Sequence, residues 1–228
     1  MIAKNGKGVF GGVAVGTIKI FSDTLKTEKR FVNDTEGEIK RLKEAVEKAV
    51  DQLEALYKKT LEQVGKDEAQ IFEIHKMMIT DNEFVSDIEE KIKMGVNAEA
   101  AVQETGEKFS QRFKSLNDAY MSQRAVDVKD ISQRLIKILS GKEDENTENG
   151  EKYIIAAKDL TPSQTMRMDR ESVAGFVTEY GSENSHTSIL ARMMNIPAII
   201  GIKGIADEIY DGKSAAIDGG SGTLYIEP

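Results

Sequence analysis

Residues 173–201, VAGFVTEYGSENSHTSILARMMNIPAIIG, read as strand, turn, helix and strand in succession. Val173 to Thr178 is a short apolar run of the kind that forms a buried strand. Gly181-Ser182-Glu183-Asn184 is a polar turn. Ser185 suits a helix N-cap, and HTSILARMMN continues helically until Pro197, whose ring forbids another turn. IPAIIG, residues 196–201, is a second strand. His186, one of two histidines, therefore falls at a helix N-terminus beyond the carboxyl end of a strand. Free backbone amides and the positive end of the helix dipole meet at that point. The same field disfavours the imidazolium and keeps a ring nitrogen free as a nucleophile. Ser185, Thr187 and Ser188 offer hydroxyls to phosphate oxygens, and Arg192 is placed to pair with an anion or with Glu183. Local physics leaves two readings open: a phosphate acceptor, or a solvated histidine in a Ser/Thr-rich turn, which is the commoner case.

The surrounding chain extends the alternation. Strands are expected at Lys152–Ala157, Ser214–Gly219 and Thr223–Glu227, and Pro162 is well placed to open a helix. This pattern implies an α/β layer. GVFGGVAVGTIKIF, residues 8–21, is rich in glycine and β-branched residues and reads as one or two strands around a turn. So small a group cannot stand alone, so it is expected to join the same sheet. Residues 22–141 differ in texture, with no proline and a helical period. A first helix is expected to open with a capping box at Thr35–Glu38. Its apolar stripe is Ile39, Leu42, Val46, Ala49, Leu53, Leu56 and Leu61, and it stops near Gly65. Further helices are expected at about 68–79, 83–94, 97–116 (with Asn97 as N-cap) and 119–139. Short connections favour a bundle of antiparallel hairpins. The tract 141–151, GKEDENTENGE, has no apolar residue and reads as a linker. The expected organisation is a discontinuous α/β domain, residues 1–21 and 142–228, interrupted by an all-α domain, residues 22–141.

Composition narrows the function. The 228 residues carry a net charge of -8, most of it between residues 22 and 150. An acidic chain is poorly suited to nucleic acid phosphates, whereas an acidic helical face suits a basic protein partner. The absence of cysteine excludes disulfides, thiol catalysis and thiolate-bound metal, and fits a reducing cytoplasm. No apolar run is long enough to cross a membrane. A Ser-His-Asp hydrolase would need a histidine distant in sequence from its serine, and His75, the other histidine, lies mid-helix in the other zone. Two separated histidines are too few for a zinc site. The N-terminal glycines match neither the dinucleotide fingerprint nor the P-loop.

Four stretches, in order, resemble enzyme I of the phosphoenolpyruvate:sugar phosphotransferase system. NSHTSILARMMNIPAIIG, residues 184–201, is similar to that family's phosphohistidine motif, roughly GGRTSHxxIxARxxxxPAxxG. DEAQIFEIHKMMITDNEF (67–84), RAVDVKDISQRL (124–135) and AAKDLTPSQT (156–165) match three further family segments. The histidine motif alone is shared with pyruvate phosphate dikinase and phosphoenolpyruvate synthase. The resemblance implies an α/β phosphohistidine (swivelling) domain with an inserted helical domain that docks the carrier protein HPr. It implies that His186 takes a phosphoryl group and passes it to a histidine of HPr, with Thr165 orienting the imidazole and Ser185, Thr187 and Arg192 in support. His75, Met78, Phe84 and Arg124 fall where HPr would dock, with Met77 and Met121 as further anchors if exposed. It also implies a barrel beyond Pro228 that binds phosphoenolpyruvate and magnesium and dimerises. The present chain is then expected to be a monomer, without cofactor, that exchanges phosphate with phospho-HPr but does not phosphorylate itself from phosphoenolpyruvate. The rival readings are the phosphohistidine domain of a dikinase or synthase, and a non-catalytic helical adaptor. Three departures surround the histidine. Ser182, Glu183 and Asn184 replace the family's Gly, Arg and Thr, and Phe10-Gly11-Gly12 replaces its SPG turn. The lost positive charge is expected from Arg192 or from a missing domain.

Overall fold

The computed structural model describes residues 1–21, 27–63, 65–116, 118–141, 152–165, 168, 171–183 and 185–228. The chain divides into two compact units: Met1–Asp23 with Asn146–Pro228, and Thr24–Glu145. The acidic linker expected at 141–151 lies outside the described residues, apart from Gly141.

The first unit is built on one eight-stranded mixed sheet. Its strands are β1 (Ile2–Asn5), β2 (Lys7–Phe10), β3 (Val13–Phe21), β4 (Tyr153–Ala157), β5 (Val173–Thr178), β6 (Ala198–Ile200), β7 (Ser214–Asp218) and β8 (Thr223–Ile226), in the order β1-β8-β7-β3-β4-β5-β6-β2. The four central strands β3, β4, β5 and β6 run parallel, and antiparallel pairs complete both edges. β4 and β5 are buried along their whole length, which is why both read as continuous apolar runs rather than alternating ones. Their side chains divide by parity. Ile154, Ala156 and Val177 join Ile18, Ile199 and Ile217 in a core on one face, while Tyr153, Ile155 and Phe176 join Leu190, Ala191 and Ala198 on the other. The second face is covered by α7 (His186–Met194), with α6 (Pro162–Thr165) packed against it.

The second unit contains α1 (Thr35–Gln63), α2 (Lys66–Ile79), α3 (Asn82–Lys93), α4 (Ala98–Lys114) and α5 (Ala119–Leu139). Its core is Leu42, Leu53, Phe72, Ile79, Ile88, Ile131, Leu135 and neighbours, all fully buried. Two local expectations are corrected, and a third holds in position with its side chain used elsewhere. The α1 stripe runs through Leu42, Ala45, Ala49, Leu53, Leu56 and Thr60, while Leu61 is 42% exposed; the fourth residue after Leu56 is Thr60, so Leu61 is one position off the buried face. The expected capping box does not form. Asp34 accepts from the Gly37 amide at 2.8 Å, and the Glu38 carboxylate instead accepts from the Ala98 amide at 2.8 Å and pairs with Arg41. Arg41 also reaches Glu99 at 2.8 Å and the Leu139 carbonyl at 3.0 Å, tying α1 to both α4 and α5. Asn97 is the N-cap residue of α4, as expected, but its side chain makes no cap hydrogen bond. Its Oδ1 accepts from the Arg30 amide at 2.8 Å and its Nδ2 donates to Glu99 at 2.9 Å, clamping the segment before α1. Among the described residues no helix is long and apolar enough to cross a membrane.

Candidate functional site: the turn before α7

The turn at 179–185 is built from the end of β5 outward. Thr178, the last strand residue, is fully buried and its hydroxyl donates to the Tyr180 carbonyl at 2.6 Å. The backbone then reverses at Gly181, with φ +128°, where a side chain would be strained. Ser185 follows as the N-cap in extended conformation, its Oγ accepting from the Ser188 amide at 3.4 Å. Ser188, also fully buried, donates its hydroxyl to the Ser182 carbonyl at 2.7 Å. The turn is thus closed by its own hydroxyls. At the other end Asn195 takes a left-handed C-cap, φ 53°, ψ 41°, and Pro197 follows, as the sequence requires. His186 is the first residue of α7; its side chain lies outside the description, as does Asn184.

The parallel register places two loops side by side. α6 follows β4 and the turn follows β5, and these strands are neighbours. The Glu179 amide donates to the Ala157 carbonyl at 3.0 Å and the Tyr180 amide to the Lys158 carbonyl at 2.8 Å. Thr165, on α6, is therefore brought beside α7 by the fold. It is 7% exposed and its hydroxyl donates to the Pro162 carbonyl at 2.9 Å, which leaves oxygen lone pairs free to accept. A crevice outside the carboxyl ends of parallel strands is where open α/β sheets bind ligands.

The expected hydroxyls differ in their surroundings. Thr187 is 1% exposed, and its Oγ1 has no hydrogen-bond partner among the described residues. Ser188 is occupied internally. Arg192 is exposed. A cation that sequence reasoning missed is Lys7 on β2, whose ammonium lies 2.7 Å from the Glu183 carboxylate. Lys7 holds Glu183 below the usual carboxylate range, with Arg192 adding to the pull. No local signal announces this pair, since its members lie near opposite ends of the chain.

The residues expected at a docking surface behave differently from one another. His75 is fully buried in the helical unit, with Nε2 3.3 Å from Asp127 and Nδ1 3.7 Å from Asp130. Phe84 is 2% exposed and packs edge-on against Phe109 at 5.5 Å between ring centres. Both are core residues, because their helical positions coincide with the apolar stripes of α2 and α3; neither presents a side chain to a partner. Arg124 pairs with Asp127 at 2.7 Å and lies 4.7 Å from the Tyr120 ring centre. Met78 and Met121 are half-buried, and Met77 is 72% exposed. Among the described residues no group of three or more His, Cys, Asp or Glu side chains is placed to hold a metal ion.

A mixed sheet with four adjacent parallel strands, and a helix opening at a histidine after one of them, defines an α/β class of domain. The chain belongs to the family described as PEP-utilising enzyme, N-terminal, which matches residues 5–124, and the family described as PEP-utilising enzyme, mobile domain, matches residues 149–222. It is 36% identical over 226 residues to a phosphoenolpyruvate-protein phosphotransferase of Bacillus subtilis (strain 168), covering 98% of this chain and 40% of that protein. It is 39% identical over 220 residues to the protein of the same name from Geobacillus stearothermophilus, covering 95% of this chain and 38% of that one. The chain thus spans about two fifths of the length of the curated relatives it matches. A solution structure of an Enzyme I protein (nEIt) is similar with a TM-score of 0.74 and 34% identity, covering 99% of this chain and 93% of that one. The N-terminal domain of a nitrogen Enzyme 1 shares the fold, with a TM-score of 0.68.

Proposed function

We propose that this chain is the phosphoryl-carrying N-terminal portion of a cytoplasmic phosphoenolpyruvate-protein phosphotransferase. In this reading the sheet unit is a discontinuous phosphohistidine domain and the intervening helices are a docking domain for HPr. His186 accepts a phosphoryl group originating in phosphoenolpyruvate and passes it to HPr. The observation that carries the reading is the position of His186 as the first residue of α7, at the carboxyl end of β5, in a chain of this family.

The chemistry follows from that position. A neutral imidazole nitrogen attacks phosphorus with its lone pair, and the bond from phosphorus to the departing nitrogen breaks. The accepting ring gives up a proton as the departing one takes one, so the exchange is reversible and balanced. First-turn amides and the helix dipole stabilise the transferring oxygens without reorganising. Thr165 accepts the second imidazole N–H and fixes the ring's orientation, while Ser185 holds the turn and Arg192 adds positive charge. The acidic helical zone attracts a partner with a basic face. Phosphoenolpyruvate and magnesium are handled by other parts of a longer enzyme, which acts as a dimer.

The test is incubation of the chain with phosphorylated HPr. Acid-labile, base-stable phosphate on the chain supports the reading; HPr that binds but transfers no phosphate leaves the adaptor function in its place.

A further inference from the structure

We propose that Lys7 is a phosphoryl-positioning residue of this site, the cation that offsets Glu183 and accompanies the phosphoryl group on His186. The inference rests on the reading of His186 as a phosphoryl carrier and goes beyond it in naming the group that manages the charge.

Glu183 lies three residues before His186, in the same turn. A phosphoryl group brings close to two negative charges at neutral pH, and an unbalanced carboxylate within a Debye length opposes it. Lys7 removes that opposition, with its ammonium 2.7 Å from the carboxylate. The fold fixes where this happens. β2 pairs antiparallel with β6, with Lys7 opposite Ile200. Ile200 packs beside Gly181, since a Cβ placed there would lie 3.5 Å from Ile200 Cγ2 and equally 3.5 Å from Ser185 Oγ. α7 also packs against β2. Lys7 is therefore one strand and one turn residue away from the helix N-cap, and its neighbours are the residues that shape the turn.

Exposure decides between a staple and a working cation. The Lys7 and Glu183 side chains are 65% and 56% exposed. Exposed pairs of this kind contribute little to stability and constrain the lysine weakly. A flexible, three-donor ammonium can therefore turn from the carboxylate to phosphoryl oxygens, or bridge both, when His186 is charged. A buried, doubly bonded pair would not have that freedom. Arg192, on α7 itself, feels Glu183 only at longer range and is the weaker candidate.

The experiment is phosphoryl exchange between phosphorylated HPr and the full chain, read as an equilibrium constant, with a 31P titration of the phosphoryl group on His186. Lys7→Met should lower the equilibrium constant about threefold at low salt, and the loss should shrink as salt is raised. It should also raise the pH at which the phosphoryl group titrates. Lys7→Arg should remain close to wild type, and Glu183→Gln in the Lys7→Met background should restore most of the loss. The titration is local to the phosphoryl group and insensitive to HPr docking. An unchanged equilibrium constant and titration in Lys7→Met, with wild type phosphorylated, overturns the role of Lys7 and leaves the carrier reading standing. A wild-type chain that takes no phosphate overturns both.

Discussion

Gly106 is buried in α4 where that helix meets α5. A methyl group there would lie 2.8 Å from Ser132 Cβ and closer still to Ser132 Oγ. Carbon atoms in good contact sit about 3.5–4.0 Å apart, so Gly106→Ala must push the two helices apart or displace Ser132. Ser132 is 4% exposed, with its hydroxyl committed to the Val128 carbonyl at 2.7 Å, so it cannot swing away. Overpacking of this size costs about 1–3 kcal/mol. Against it, alanine gains about 1 kcal/mol over glycine in a helix interior. The net expectation is a loss of about 1 kcal/mol. In a Ser132→Gly background the obstacle is gone, and the same Gly106→Ala change should stabilise by about 1 kcal/mol. The sign reversal amounts to a coupling of about 2 kcal/mol between the two positions. Native-state hydrogen exchange of α4 and α5 amides reads the opening free energy of this unit directly. Equal effects of Gly106→Ala in both backgrounds would refute the reasoning.

Two other outcomes are expected of the same unit. Asp34→Ala should cost about 1 kcal/mol through the lost cap on α1, while Thr35→Ala should cost little; urea unfolding of the pair distinguishes the observed cap from the one the sequence suggests. Asp87 is pushed up by burial but pulled further down by Lys108, Lys91 and Thr105, to a pKa of about 2. Because its folded pKa is depressed, its contribution is present above about pH 4 and fades as pH falls towards 2. Discounted for the solvent around Lys108, Asp87→Asn should cost about 1–2 kcal/mol at pH 7. It should cost less at pH 2.5, as measured by hydrogen exchange or urea titration at the two pH values.

The parts of the fold that were legible in the sequence are those specified by nearby residues. α5 is bounded as expected because Asp118 caps it, accepting from the Met121 amide at 3.0 Å, and Ser140-Gly141 ends it. β5 and α7 are likewise marked by an apolar run, a Ser cap and Pro197. What failed depended on partners far along the chain. Glu38 has the right spacing for a capping box, but Ala98 and Arg41 claim it. Asn97 stands at the N-cap of α4 as expected, but Arg30 and Glu99 claim its side chain. His75 is a polar residue that the family resemblance puts at an interface, yet it lies in the core beside two buried carboxylates from α5. At the site, the helix start at His186 was readable, whereas the burial of Thr187 and the approach of Lys7 to Glu183 required the sheet to be assembled first. Glu183, a departure from the family motif, has its counter-charge in Lys7.

The central claim is that one imidazole in this chain carries phosphate. The most direct measurement is intact mass of wild type and His186→Ala after incubation with phosphorylated HPr, followed by fragmentation to locate the modification. The expected result is one added phosphoryl group on wild type, located at His186, and none on His186→Ala with hydrogen exchange unchanged elsewhere. Phosphate on His186→Ala to the same extent as wild type, or on wild type at any other residue, would contradict the account.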